Sequence, residues 1–138
     1  MSKLTLYSDG GARGNPGPAA IGVVCRRGQE QLWTIQRYIG ETTNNQAEYQ
    51  ALIAGLTKAV GSTREITCYL DSELVVKQLQ GVYRVKDKDL QPLVRQVIGL
   101  LPSFSRVEFK HIPRAKNTLA DRLVNVALDK HLAAPHGH

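Results

Sequence analysis

The chain has 138 residues, 42% of them hydrophobic and 22% charged, which fits a single soluble domain over residues 1–132 with a frayed tail over 133–138. No apolar run approaches the roughly 18 residues of a membrane span, and the first residues lack a secretory pattern, so a cytoplasmic location is expected and a membrane role excluded. A net charge of +6 favours an anionic partner.

Lys3–Ser8 alternates, with Leu4, Leu6 and Ser8 on one side, and suits a strand ending at Asp9. Residues 10–18, G-G-A-R-G-N-P-G-P, read as a tight loop. Ala20–Arg26 and Leu32–Ile39 are β-rich around a polar turn and read as a hairpin. The period then changes: Leu52, Leu56 and Ala59 fall on one face of a helix from Asn45 to Val60. A short buried strand follows at Ile66–Leu70, then a helix over Ser72–Gln80 stopped by Gly81. Val82–Lys88 is a basic connection to a helix over 89–101 with Pro92 in its first turn. Val107–Ile112 is the last strand. Asn117–Leu132 is the last helix, with Leu123, Val124, Ala127 and Leu128 as its apolar stripe. Strands followed by mixed helices and strands predict an α/β fold with one mixed sheet and helices on its faces. Cys25 and Cys68 lie in strand-like runs and read as small buried hydrophobes.

Four carboxylates sit where these elements begin or end: Asp9, Glu48, Asp71 and Asp121. Each has a local explanation. Asp9-Gly10 is a turn dipeptide, and Asn45-x-x-Glu48 resembles a capping box. Asp71 is placed to cap the helix after it, and Asp121 suits the first turn of its own. Together they invite another reading. Brought to one sheet edge, they form an all-oxygen pocket for hard divalent cations, and on a basic chain this points to phosphodiester chemistry.

The segments Y-S-D-G-G-A-R-G-N-P-G-P, T-T-N-N-Q-A-E-Y-Q-A-L, L-D-S-E-L-V and N-T-L-A-D-R-L-V-N occur in order, with one acid in each. The chain thereby resembles type 1 ribonuclease H from about Lys3 to Asp129. The resemblance implies a ribonuclease H-like fold: a five-stranded mixed sheet, its first three strands antiparallel, with helices on both faces. It also implies that Asp9, Glu48, Asp71 and Asp121 bind two Mg²⁺ ions, with Mn²⁺ as a substitute. The RNA strand of RNA–DNA hybrids is then cut to 5′-phosphate and 3′-hydroxyl ends, with Asp9 bridging both ions. Such paired ions lie about 3.5–4 Å apart, one activating water and the other stabilising the leaving oxygen.

By the same resemblance, Asn15, Asn44 and Asn45 contact the hybrid, Gly10 and Gly11 let the backbone approach the RNA 2′-hydroxyls, and Ser72 joins the substrate surface. The loop after the last strand offers two assisting residues: His111 as a proton shuttle and Arg114 as a phosphate or water contact. Pro113, which opens that loop, favours Arg114.

Two departures from the family stand out. Glu73 occupies a position where some relatives carry Gln. Residues 81–89, G-V-Y-R-V-K-D-K-D, lack the basic, Trp-rich handle that several relatives insert there. Less discriminating duplex binding, extending to double-stranded RNA, is therefore expected. The alternatives are a DNA nuclease or transposase of the same fold, and a catalytically silent nucleic-acid-binding module. No obligate protein partner is evident, and a monomer is expected.

Overall fold

The computed structural model describes residues 2–133 and contains a five-stranded sheet with helices on both faces. Strands β1 (Leu4–Ala12), β2 (Gly17–Arg27) and β3 (Glu30–Thr42) form an antiparallel meander. Then come α1 (Asn44–Ala59), β4 (Glu65–Leu70), α2 (Glu73–Leu79), α3 (Gln91–Leu100), β5 (Arg106–His111) and α4 (Thr118–Ala133). The sheet order is β3-β2-β1-β4-β5, with β4 parallel to β1 and to β5. No helix lies between Leu79 and Gln91, so the short basic connection consists of turns and irregular backbone. Of the expected tail, residues 134–138 lie outside the described residues, and Ala133 is the last residue of α4.

Strand alternation divides the chain between two faces. Leu4, Leu6, Ile21, Val23, Cys25, Ile66 and Cys68 bury against α1 and its neighbours, where Leu52 and Leu56 meet them. The opposite face is smaller: Ala20 packs with Val124, Ala127 and Leu128 of α4, and Tyr38 closes the edge. Cys25 and Cys68 flank Leu6 on neighbouring strands as free, buried thiols. Burial pushes Cys25 up to about 11 and Cys68 higher still, so neither is a ready nucleophile.

β1 does not end at Asp9, as the turn dipeptide suggested. It continues through Gly10-Gly11-Ala12, because Ile21, Ala20 and Ala19 of β2 supply an antiparallel ladder that outweighs the low strand propensity of glycine. The parallel pairing with β4 stops at Ser8–Leu70. Asp9 is thus the first residue of β1 beyond its parallel neighbour, at a fork in the sheet. The expected loop shrinks to residues 13–16, with a cis Asn15–Pro16 bond.

Two glycines set how closely the flanking helices approach. A Cβ on Gly10 would fall on the Ala47 carbonyl and 2.5 Å from Glu48 N, so α1 rests directly on the β1 backbone. A Cβ on Gly22 would meet the Ala120 carbonyl and lie 2.8 Å from Leu123 Cβ, so α4 rests likewise on β2. Gly22 is the cross-strand partner of Asp9. Side chains of paired residues share a sheet face, so Asp9 projects towards α4 and Glu48 reaches it from α1.

Candidate active site

The caps explain why two of the acids are free to face a common point. Thr43 caps α1: its hydroxyl accepts the Gln46 N–H at 3.2 Å, and the Gln46 side chain returns to the Thr43 N–H. The capping box is therefore Thr43–Gln46, not Asn45–Glu48, because the helix begins at Asn44. Ser72, not Asp71, caps α2 by accepting the Val75 N–H at 3.3 Å. Glu48 and Asp71 have no capping role. Asp121 sits in the first turn of α4 as expected.

Carboxylate oxygens of Asp9, Glu48 and Asp71 lie within 4.8 Å of one another. Asp121 joins from α4, within hydrogen-bonding reach of Asp9. Asp9 and Glu48 are 6% and 7% exposed, and Glu48 Oε2 is buried without a partner. Burial, opposed by the hydrogen bond with Glu48 but reinforced by Asp71 and Asp121, pushes Asp9 up to about 7. Burial also holds Glu48 well above the usual carboxylate range, reinforced by Asp9 and Asp71 and moderated by the Gly10 N–H. An all-oxygen donor set with an orphaned buried oxygen and mutually repelling charges fits a hard divalent cation.

The surrounding cleft has a volume of about 470 Å³. Gly10, Gly11, Asn44, Asn45, Ser72 and Arg114 all line it, together with the four acids. Asn15 is exposed and outside the lining but bonded to it: its Oδ1 accepts the Asn44 N–H at 3.0 Å, while Asn44 Oδ1 accepts the Ala12 N–H at 2.8 Å. His111 ends β5, exposed and outside the cleft lining. It stands near Glu73, whose carboxyl is held low chiefly by Lys77 at 2.9 Å and additionally by His111.

Three residues of the site were not anticipated. Asn117, 1% exposed, donates from Nδ2 to the Ser8 carbonyl at 2.9 Å and to Asp71 Oδ2 at 3.1 Å. It ties the end of the parallel sheet to an acid, yet in the sequence it reads only as a helix start. Arg13 lines the cleft, with Nη2 2.7 Å from Asp129 and 3.3 Å from Asn125 Oδ1. Asn125 in turn donates to the Asp121 carbonyl at 3.0 Å.

The raised carboxyls make a pH prediction with an unusual sign. The folded, metal-free chain holds these protons more tightly than the unfolded chain, so the contribution of these groups is greatest below the ordinary Asp value of 3.8. For Asp9 it declines as pH rises towards about 7, and Glu48, also held high by burial, adds a decline of the same sign. Urea midpoints in chelator should therefore fall across that window as far as this cluster is concerned, and saturating Mg²⁺ should flatten the decline. A midpoint that rises with pH in chelator and ignores Mg²⁺ would contradict the burial of these charges.

The profile of the family described as "Reverse transcriptase-like" matches residues 7–127. A protein of Mycobacterium tuberculosis named as bifunctional is 46% identical over 131 residues, covering 92% of this chain and 36% of its own length. A Halobacterium salinarum protein named ribonuclease HI is 45% identical over 129 residues, covering 92% of this chain and 65% of its own length. The chain thus spans less than two thirds of either relative. Among solved structures, the crystal structure of LC11-RNase H1 in complex with an RNA/DNA hybrid matches with a TM-score of 0.89 and 44% identity, over 94% of this chain and 99% of that one.

Proposed function

This chain belongs to the type 1 ribonuclease H family, and we propose that it is a metal-dependent endoribonuclease that hydrolyses the RNA strand of RNA–DNA hybrids. The carrying observation is the convergence of Asp9, Glu48 and Asp71 within 4.8 Å, with Asp121 beside Asp9, on a chain of net charge +6. Residues 1–132 act as the catalytic unit, and the products carry 5′-phosphate and 3′-hydroxyl ends.

Asp9, Glu48, Asp71 and Asp121 would hold the divalent cations, Mg²⁺ or Mn²⁺, which when bound activate water and stabilise the leaving oxygen. The protein's own groups do the rest. Asn117 steadies Asp71, and the short separation between α1 and β1 brings Glu48 to Asp9. Asn44 and Asn45 present amide groups at the cleft, and Asn15 fixes the loop beside them, where sugar hydroxyls of the RNA strand would be read. Gly10, Gly11 and Ser72 form wall without bulk.

Arg114, not His111, is the assisting residue from the last loop, since it lines the cleft and His111 does not. Arg114→Ala is expected to lower kcat roughly tenfold, the worth of one charge-assisted hydrogen bond. His111→Ala should leave kcat and its pH profile nearly unchanged. A large loss confined to His111→Ala would reverse the assignment.

The connection between α2 and α3 carries only Arg84, Lys86 and Lys88 as its basic groups, so double-stranded RNA is proposed as a slower second substrate. The deciding assay incubates labelled hybrid, double-stranded RNA and double-stranded DNA with Mg²⁺, Mn²⁺ or chelator. Hybrid cleavage should dominate and vanish in chelator. Cleavage of duplex DNA, or no metal-dependent cleavage of anything, would sink the proposal.

A further inference from the structure

We propose that Arg13 is a substrate-phosphate contact held in reserve by Asp129, and that their ion pair opens when nucleic acid enters the cleft. This inference rests on the proposed function and adds a residue to its binding surface. The segment over residues 12–15 is bonded to both helices that flank the cleft, α1 and α4. Towards α1 it is pinned by uncharged bonds through the backbone: Asn15 Oδ1 to the Asn44 N–H and Asn44 Oδ1 to the Ala12 N–H. Towards α4 its tie is the Arg13 guanidinium, 2.7 Å from Asp129 and 3.3 Å from Asn125 Oδ1.

The second tie is built to yield. The Arg13 and Asp129 side chains are 38% and 67% exposed, and a solvated ion pair of this kind is weak. A phosphate offers the guanidinium two parallel hydrogen bonds and a full charge. Asn125 keeps Arg13 over the cleft after Asp129 lets go, because its Nδ2 is fixed on the Asp121 carbonyl at 3.0 Å while its Oδ1 faces Arg13. Asp121, Asn125 and Asp129 follow one another at four-residue spacing along one side of α4. Arg13 is the cation set opposite that row.

Charge in the cleft favours such a group. Before cations occupy the site the acids disfavour an incoming phosphate, and the described cleft lining offers two cations against them, Arg13 and Arg114. Among the described residues nothing holds the Arg114 side chain, so it meets substrate as it stands. Arg13 must first exchange partners.

The test combines steady-state cleavage of a labelled RNA–DNA hybrid by the full chain with fluorescence-anisotropy binding of the same hybrid in chelator. Arg13→Ala should raise KM and Kd about fivefold, change kcat much less, and reduce the slope of log Kd against log salt by about one. Asp129→Asn should act in the opposite direction, lowering Kd about twofold, by removing the competitor of phosphate. In the Arg13→Ala background, Asp129→Asn should do nothing further. If Asp129→Asn instead weakens binding as Arg13→Ala does, with lower thermal midpoints in both, the pair is a structural brace and the proposal fails. An unchanged salt slope in Arg13→Ala also overturns it. If the wild type binds hybrid but cleaves none, the proposed function fails while the binding measurements still decide Arg13. If it binds no hybrid, both fail.

Discussion

Asp9→Asn is expected to abolish metal-dependent cleavage while making the metal-free protein harder to unfold. Asp9 touches both Glu48 and Asp121 and faces Asp71, so the other acids converge on it. Losing its charge should cost at least about 10³ in kcat/KM, on the order of 4 kcal/mol of transition-state stabilisation. The same charge is a burden on the fold, since burial and two neighbouring carboxylates push Asp9 up to about 7. A neutral amide of the same shape removes that repulsion and should stabilise the chelated protein at pH above 7 by roughly 2 kcal/mol, allowing for relaxation of the cluster. Paired measurements of kcat/KM in Mg²⁺ and of urea midpoints in chelator check both halves. Retained activity, or a lower midpoint, would remove Asp9 from the centre of the site.

The second large effect comes from a residue with no side chain. Gly10→Ala should cost about 3 kcal/mol of stability, at the upper end for overpacking, because the atoms in its way are backbone and cannot swing aside. α1 would have to lift off β1, carrying Glu48 away from Asp9. A displacement near 1 Å at a reacting site is worth about a hundredfold in rate. Gly99→Ala is the matched control. It lies within α3 with nothing within 4 Å of the added Cβ, so helix propensity alone should stabilise the protein by up to about 1 kcal/mol. Opposite signs for the two substitutions, read in one urea titration series, are the expected outcome. A harmless Gly10→Ala would mean that the close approach of α1 is not required.

The four acids were legible because each lies in a segment whose local chemistry marks an element boundary. Which residue caps each helix was not. Thr43, Asn44 and Asn45 can all accept a backbone N–H, and the choice decides whether Glu48 is consumed by the helix start or released into the cleft. That choice is made by where β3 ends, a tertiary matter. The extension of β1 through Gly10-Gly11-Ala12 was hidden for a related reason: glycine signals a turn, and only the ladder from β2 keeps it extended. Arg13 and Asn117 escaped notice because their partners are distant in sequence. Arg13 meets Asn125 across 112 positions, and Asn117 reaches Ser8 across 109. Glu73, noted in the sequence only as standing where some relatives carry Gln, is an exposed acid engaged with Lys77 and apart from the buried cluster.

The contacts at Gly10 and Gly22 have a consequence for how this protein tolerates change. The helices bearing Glu48 and Asp121 touch the sheet peptide to peptide, and peptide groups are the same in every sequence. Exchanging one aliphatic side chain for another of similar volume in the interior, at Leu52, Leu56 or Ile66, does not alter the backbone atoms that meet at Gly10 and Gly22. Volume-conserving exchanges of this kind are expected to be tolerated with little change in the spacing of the acids. Two hydrogen atoms, where other residues carry a side chain, let the acid-bearing helices seat on the sheet backbone itself.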